Sequence, residues 1–552
     1  MPKSAISTAK SAAVPASVPL VERFEWQCAA LAILVVIAYA NSLGSSFHFD
    51  DYAIFKVPAI VSPGFGWGVF RLEQTRPLTY LTFHWNYLLD GQNPTLYHLI
   101  NIPLHAANSI LVLAIARKYV SPLAAGCVAV VFALHPLQTE SVTYVYARST
   151  LLSTHLALWA IWLYLREKYL ASALLFGVSL LAKEETIALP AFLLLLELFR
   201  RRRPKAGYFA LLTGFAALAA GRLFYLIATA PTVPGVGRVR GVSTLGYLMT
   251  QCRMIWIYLR LMIVPIGLNL DRDAAVSKSL LVPWTTLAGA ASLAILQAGL
   301  IWLAWQKRQP AALWALGFFV LIAPSSSIVA QADMIYEHRT YLAMVCAVIA
   351  LGFLLERVPR AGLMAAFAVL VPVMLFGTIS RNADWSDEKT FWTDAAAKSP
   401  NKGRVWLGLA QAYASDPAKA SEYLRRGLAV DPDNAELHTS DGIALLRDGQ
   451  SAEALAHFQR AMALTEPTAD GWNNIGGAYY KMNNLAVSLE SFEQALRLDS
   501  CSFNVRRNLM MLHSQAHEPQ AVWQAGQIPA TCVMLPDEAS ELERLRRMAG
   551  KP

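Results

Sequence analysis

Asp50 and Asp51 stand side by side just beyond the first apolar run of a chain that is apolar for most of its length. Carboxylates at the outer edge of a membrane suit chemistry on a substrate that itself lives in lipid. Further ionisable groups recur at the ends of later apolar runs: Arg76, His98, His135, Glu140, Arg148, Lys183, Glu184 and the triplet Glu337-His338-Arg339. Ionisable groups in or at the rim of membrane spans are costly and usually face a cavity. Taken singly, each is equally well explained by a seat among lipid headgroups. Their convergence on one side is not. Three tandem helical repeats follow the last apolar run and point to a macromolecular partner. Together the two halves point to an enzyme that moves a group from a lipid carrier onto a protein.

Composition bounds the elements that must position these residues. The 552 residues are 55% apolar and 15% charged, whereas soluble domains carry roughly 25% charge. A membrane protein with a soluble appendix fits. The formal charge of +9 does not argue for nucleic acid, because the basic residues crowd beside apolar runs, notably Arg200 to Arg203 and Lys205, as cytoplasmic anchors do. Residues 1–25 read as a disordered cytoplasmic tail. Ala38-Tyr39-Ala40 imitates a signal-cleavage site, but the long leader before it favours a retained span. The six cysteines show no zinc spacing; Cys501 and Cys532 allow a disulfide if the C-terminal region is exported.

Apolar stretches near 26–43, 97–116, 121–135, 148–165, 169–182, 186–199, 207–227, 282–305, 310–328, 339–355 and 361–380 are candidate spans. The stretch 243–264 is apolar too, but carries Arg253 and Arg260 on one helical face. If it stays at the outer face, Arg117/Lys118, Arg166/Lys168, the Arg200–Lys205 tract, Lys307/Arg308 and Arg357/Arg360 all fall in the cytoplasm, as positive charge should. The expected topology is therefore about eleven spans over 26–380, with a first outer loop at 44–96 that carries the aspartates. A linker helix at 381–400 then leads to an exported C-terminal region.

Gly408, Gly442 and Gly476 recur every thirty-four residues, as do Leu424, Phe458 and Phe492, and Gly427, Ala461 and Ala495. That is the tetratricopeptide period, with small residues where two helices touch and larger ones filling the seam. Repeats are expected at 401–434, 435–468 and 469–502, with a capping helix at 503–515 completing a domain over 401–515. Stacked repeats form a concave surface suited to a peptide or protein segment; a spacer or dimerisation element is the plainer use. In the remaining tail, 516–552, a helix from Asp537 to Met548 is expected. The fold class is all-α: a polytopic membrane bundle followed by a soluble α-solenoid.

The motifs Phe47-His48-Phe49-Asp50-Asp51, Arg76-Pro77-Leu78, Tyr97-His98-Leu99-Ile100-Asn101 with His105, His135-Pro136 with Glu140-Ser141-Val142, Tyr144 and Arg148 come in that order. Lys183-Glu184 with Pro190, Glu337-His338-Arg339 with Tyr341-Leu342, and Arg381 with Trp385 follow. In order and spacing, over roughly 26–515, the chain resembles the transmembrane-and-tetratricopeptide (TMTC) proteins, relatives of the C-type glycosyltransferases. It departs from the animal members in having fewer repeats and in its Glu-His-Arg triplet.

The resemblance implies a GT-C-like membrane domain and transfer of a sugar, mannose in the eukaryotic case, from a polyprenyl-phosphate donor at the outer face to Ser or Thr of an exported protein. Asp50 or Asp51 would then be the general base for the acceptor hydroxyl. Neighbours on an extended segment point opposite ways, so one faces the sugar and the other orients an arginine or caps the next helix; Asp50 is preferred as base. Arg76, Arg148, Lys183, His338 and Arg339 are candidates to stabilise the leaving phosphate, with Arg253 and Arg260 as outsiders. With these cations, His98, His135, Glu140 and Glu184 complete the expected lipid-phosphate and sugar-binding set; His98, His105 and His135 are equally acid/base, ligand or packing candidates. Asp50, Asp51 and Glu140 could hold a divalent ion, but such relatives imply no required metal or other cofactor. The expected partners are the lipid-linked donor, an acceptor protein and membrane lipid, with no nucleic acid. Short loops and few repeats suggest a bacterial inner membrane with the solenoid in the periplasm; in a eukaryote the same topology reads as endoplasmic reticulum with a luminal solenoid. Two rivals stand: an envelope glycan polymerase or ligase on the same fold, and a non-enzymatic membrane-anchored adaptor.

Overall fold

The computed structural model describes residues 19–71, 74–229, 242–327, 329–331, 333–529, 532 and 536–548. Every regular element among them is helical. Residues 1–18 of the expected tail lie outside the described ones. Helix starts follow the local signals: Pro94, Pro122 and Pro310 each occupy a first turn, where the missing N–H costs nothing. The Asn93 side chain accepts from Thr95 N–H, and Ser121 from Ala124 N–H.

Helices Phe24–Tyr39, Pro94–Ala116, Ala206–Thr229, Thr285–Trp305, Tyr341–Leu355 and Arg360–Ala383 form the long apolar part of the bundle. By length and apolarity, six described helices qualify as crossings, or seven with the bent pair Pro122–Leu134 and Pro136–Thr143 taken as one. The expected eleven are not reached on this criterion. Tyr169–Ala182 and Pro310–Ile322 are apolar but have 14 and 13 residues, about 20 Å of helix against a hydrocarbon core of about 30 Å.

Helix Thr244–Ile263, the stretch with the two arginines, lies across one end of the bundle. Along its length Tyr247 donates to Ser325 O at 2.7 Å, Gln251 donates to Met334 O at 2.8 Å, Tyr258 accepts from Tyr336 N–H at 3.1 Å, and Met262 O meets His135 Nε2 at 3.0 Å. Both ends and the middle thus bond to the turns that gather at that end, where Pro136–Gln138 packs on Glu337–Thr340. A helix crossing with its neighbours would touch those turns at one end only.

The solenoid is built of helix pairs. Helix pairs Gly403–Ala412/Pro417–Val430, Ala435–Arg447/Ser451–Leu464 and Ala469–Lys481/Leu485–Leu498 form the repeats, and Phe503–Gln515 the cap. A Cβ at Gly442 would sit 2.6 Å from the Phe458 ring, and one at Gly476 2.7 Å from the Phe492 ring, so the thirty-four-residue glycine period is a packing requirement. Cys501 and Cys532 are disulfide-bonded, tying the end of the third repeat to the segment beyond the cap. A last helix covers Pro536–Met548.

The linker is Glu388–Lys398, and it packs on the first repeat. Trp385, Phe391, Trp392, Val405 and Leu409 share one buried cluster with Tyr144, Ala147 and Leu270 of the membrane half. His48 stacks on Phe391 and its Nε2 bonds Trp385 O at 2.7 Å. The loop that carries the aspartates is therefore clamped between the two halves.

Because each repeat glycine seats an aromatic ring, Gly476→Val is expected to destabilise the solenoid by about 2 kcal/mol. Limited proteolysis of the full chain across a temperature series should show earlier cleavage within 435–515; an unchanged cleavage profile would contradict this packing account.

Candidate functional site

A cavity of about 820 Å³ opens where the interhelical turns at one end of the bundle meet. One end is polar, lined by Asp50, Arg76, Lys183, Glu184, Glu185, Asp333, His338 and Arg339 with four tyrosines, Tyr80, Tyr144, Tyr146 and Tyr336. The other end runs between helices Tyr169–Ala182 and Ala206–Thr229 and is lined by Leu174, Val178, Leu181, Phe215, Leu218 and Leu223. Gly177 makes this close passage possible: a Cβ there would lie 3.1 Å from the Phe215 ring. Leu218 and Leu174 remain largely exposed, so the apolar end opens at the surface of the bundle.

The two aspartates are not equivalent. Asp50 lines the cavity, its N–H donating to the Tyr144 hydroxyl at 3.1 Å. Burial pushes its carboxyl above the ordinary carboxylate range, while the Tyr144 hydroxyl, Arg404 and Arg76 pull it back and Asp333 adds to the rise. Asp51 is fully buried and does not line the cavity. Its Oδ2 accepts from His48 N–H at 3.0 Å and its Oδ1 from Tyr146 N–H at 2.7 Å, which fastens the loop to the segment after the bent helix. It does not cap the helix that follows, whose N-cap position is Asp50.

The cations divide in two. Arg76 pairs with Glu184 at 3.1 Å, and Lys183 with Glu185 at 2.9 Å and with Thr150 Oγ1 at 2.9 Å. Burial pushes the Glu184 carboxyl up, but the Arg76 guanidinium outweighs it and holds it down at about 2. Arg339 instead donates to Asp333 O at 2.9 Å, and Arg222 to the carbonyls of Gln74 and Arg71. Carbonyl oxygens orient these two guanidiniums without neutralising them, which leaves their charge for an anion. His338 Nδ1 lies 2.5 Å from Glu140 Oε1, and its ring stacks on Tyr336.

Several expected site residues lie elsewhere. Arg148 is wholly buried and its guanidinium is spent on protein: Nε donates to Asn101 Oδ1 at 2.8 Å, Nη1 to Asn86 Oδ1 at 2.5 Å and Thr82 Oγ1 at 3.3 Å, and Nη2 to Tyr97 O at 2.9 Å. It joins the first outer loop to two helices and reaches no cavity. His135 is held by Met262 O and by Leu137 N–H, and His105 by Ala133 O and Tyr341. His98 is buried away from the cavity. Glu140 acts behind His338, accepting also from Glu337 N–H at 3.0 Å. Arg253 and Arg260 bond loop carbonyls at Ala275 and Ile266. Asp50, Asp51 and Glu140 serve separate hydrogen-bond sets, and among the described residues no cluster of three ligand-type side chains is placed to hold a metal ion.

Sequence reasoning passed over Arg222, Glu185, Asp333, Tyr146 and Tyr336. Arg222 carried a usable signal, since an arginine inside an apolar run of more than twenty residues marks a functional position by default. Asp333 carried none, because nothing local distinguishes a loop aspartate.

Comparison with known proteins agrees with the resemblance read from the motifs. The chain is similar to the protein O-mannosyl-transferase TMTC3 of Mus musculus, 24% identical over 518 residues, covering 78% of this chain and 54% of that protein. The Homo sapiens protein of the same name is 24% identical over 534 residues, 84% of this chain and 54% of the relative. The chain thus spans about half the length of these curated relatives. A shorter stretch, 24% of this chain and 17% of the relative, is 35% identical to Homo sapiens TMTC1, also named a protein O-mannosyl-transferase. The tetratricopeptide repeat family model matches residues 469–500. The crystal structure of MamA aligns with 28% of this chain and 87% of its own at 19% identity, with a TM-score of 0.23, which has no bearing on the fold.

Asp51→Asn leaves an amide nitrogen facing a backbone N–H, and Arg148→Met strands four buried acceptors. Losses of about 2 and about 3 kcal/mol are expected, respectively, read as lower unfolding temperatures of the purified protein. Asp50→Asn should unfold within a degree or two of wild type; a large drop there would make Asp50 a structural residue as well.

Proposed function

We propose that this chain is a membrane glycosyltransferase that moves a sugar from a polyprenyl-phosphate carrier to a Ser or Thr hydroxyl of an exported protein. The observation that carries the reading is the two-ended cavity: an apolar channel open toward lipid leads to a polar chamber that holds a carboxylate and several cations. A polyprenyl phosphate has the same division, a long apolar tail and a compact anionic head. The curated relatives' names add the reaction class and make mannose the first sugar to test.

In this reading the prenyl chain lies along Leu174, Val178, Phe215 and Leu218, and Arg222, Arg339, Arg76 and Lys183 surround the phosphate. Asp50 accepts the proton of the acceptor hydroxyl as its oxygen forms a bond to the anomeric carbon. The bond from that carbon to the phosphate oxygen breaks, and its electrons leave on the polyprenyl phosphate, whose added charge the cations stabilise. Glu140 holds His338 in place at the chamber wall. The acceptor segment is presented by the concave face of the solenoid. The Cys501–Cys532 disulfide supports an oxidising compartment for that domain, hence the exported side of the membrane: periplasm in a bacterium, lumen in a eukaryote. The flat placement of Thr244–Ile263 supports the same orientation, since it makes that stretch non-crossing.

Two measurements test the proposal. Intact masses of envelope proteins are compared among wild type, a deletion strain, and the deletion complemented with Asp50→Asn. A protein that loses a hexose-sized or larger mass in the deletion and does not regain it with the variant supports transfer by Asp50. Restoration of every mass and phenotype by the variant would leave the adaptor reading in its place, and a change confined to glycan or lipid would favour the polymerase or ligase. With purified enzyme, Asp50→Asn should lower kcat/KM by about 100-fold or more. Because the Asp50 carboxyl is raised and the base must be ionised, activity should fall as pH drops through a value above the ordinary aspartate range of about 4. An acidic limb at or below that value would sink Asp50 as base.

A further inference from the structure

The first repeat of the solenoid does more than border the cavity. Arg404, at the start of helix Gly403–Ala412, is inserted between two carboxylates of the membrane half. Its Nε and Nη2 donate to the two oxygens of Asp271 at 2.7 and 2.5 Å, and Nη1 donates to Asp333 Oδ2 at 3.3 Å, with Nη2 on Asp333 Oδ1. Lys402 reaches the same pair. The guanidinium also lies 4.9 Å from the Phe49 ring, next to Asp50 in the chain.

Asp333 is the connection inward. It lines the cavity, and its Oδ2 accepts from the Tyr336 hydroxyl at 2.6 Å. Tyr336 stacks on His338, and the Asp333 carbonyl orients Arg339. One solenoid side chain therefore stands at the head of a continuous set of contacts that holds the wall from 333 to 339. We propose that Arg404 is a positioning residue of the transfer site, and that the solenoid thereby builds one wall of the donor chamber in addition to presenting the acceptor.

This inference rests on the donor-binding reading of the cavity. A bidentate guanidinium between two carboxylates fixes direction as well as distance, which a lysine does not. Arg404 and Lys402 also hold the Asp333 carboxyl well below the usual range against the upward push of burial. It stays an acceptor, and the Tyr336 hydroxyl keeps donating to it. Without Arg404 the half-buried Asp333 has lost its bidentate partner, and the segment that carries His338 and Arg339 is free to shift. Displacements of about 1 Å in such a wall can cost about 100-fold in function.

The test uses the full-length protein in lipid nanodiscs and a short-chain polyprenyl phosphate without sugar, titrated by calorimetry. Neither acceptor nor sugar is present, so a role in the acceptor groove alone would not register. Arg404→Gln, retaining its gel-filtration profile, is expected to bind the probe at least about 10-fold more weakly than wild type, with Arg404→Lys intermediate. Asp333→Asn keeps the side-chain shape and is expected to weaken binding similarly, and it decides the matter if Arg404→Gln does not fold. Wild-type affinity in the folded arginine variants and in Asp333→Asn would overturn the inference while leaving the donor site standing. Failure of the wild-type protein to bind the probe would instead remove the donor reading on which the inference rests.

Discussion

A polar or charged group withdrawn from water is stable only when partners stand at hydrogen-bond distance, and the end of the bundle that holds the cavity is organised by that demand. Arg148 meets it with four oxygen acceptors drawn from the first outer loop and the helix Pro94–Ala116. The Asp51 carboxyl, which burial pushes up to about 8, meets it with two backbone N–H groups, one on its own loop and one beyond the bent helix. Each arrangement ties together segments that the chain brings in separately. The cost of an unpartnered buried charge, several kcal/mol, makes these ties the rigid frame within which the cavity is held open.

The same demand separates scaffold from chemistry. Residues whose hydrogen-bonding capacity is used up inside the protein, Arg148, Asp51, His105 and His135, hold the frame. Residues left partly unsatisfied at the cavity wall are the ones able to act on a ligand. Arg222 and Arg339 are oriented by carbonyl oxygens that leave their charge in place, and Asp50 stands at the wall beside the Tyr144 hydroxyl. Arg76 and Lys183 are intermediate, each sharing its charge with a neighbouring glutamate. A chamber assembled this way offers an anion positive potential without a bare cluster of like charges.

Attachment of the solenoid follows from where the aspartate loop sits. Phe49 and His48 would expose apolar and buried polar groups if the loop ended at the membrane surface. Instead they are covered by Trp392, Phe391 and Trp385 from the linker, and ion pairs from Lys402 and Arg404 close the rim. The membrane half and the first repeat thus share a core. A hinge between them would have to break aromatic packing and partly buried ion pairs together.

Sequence alone determined the elements. Long apolar runs, anchoring basic tracts and a thirty-four-residue period of small and large residues each reflect a local rule, so helices form on those runs and periods, although Pro310–Ile322 stops six residues short of the expected 328. It also marked Asp50, Arg76, Lys183, Glu184, His338 and Arg339, because ionisable groups beside apolar runs stand out in any reading. Only the tertiary structure decided which marked residues face the cavity. Asp50 and Asp51 are indistinguishable as neighbours in a string, and Arg148 and Arg339 look alike at the ends of apolar runs. Their difference lies in partners far along the chain, 95 residues for Tyr146 with Asp51 and 47 for Asn101 with Arg148. Arg404 and Asp333, 71 residues apart, acquire a relation to the chamber only when a repeat settles on the bundle. Hydrogen bonds and ion pairs act over a few ångströms in space, and which groups come that close is set by how the two halves pack.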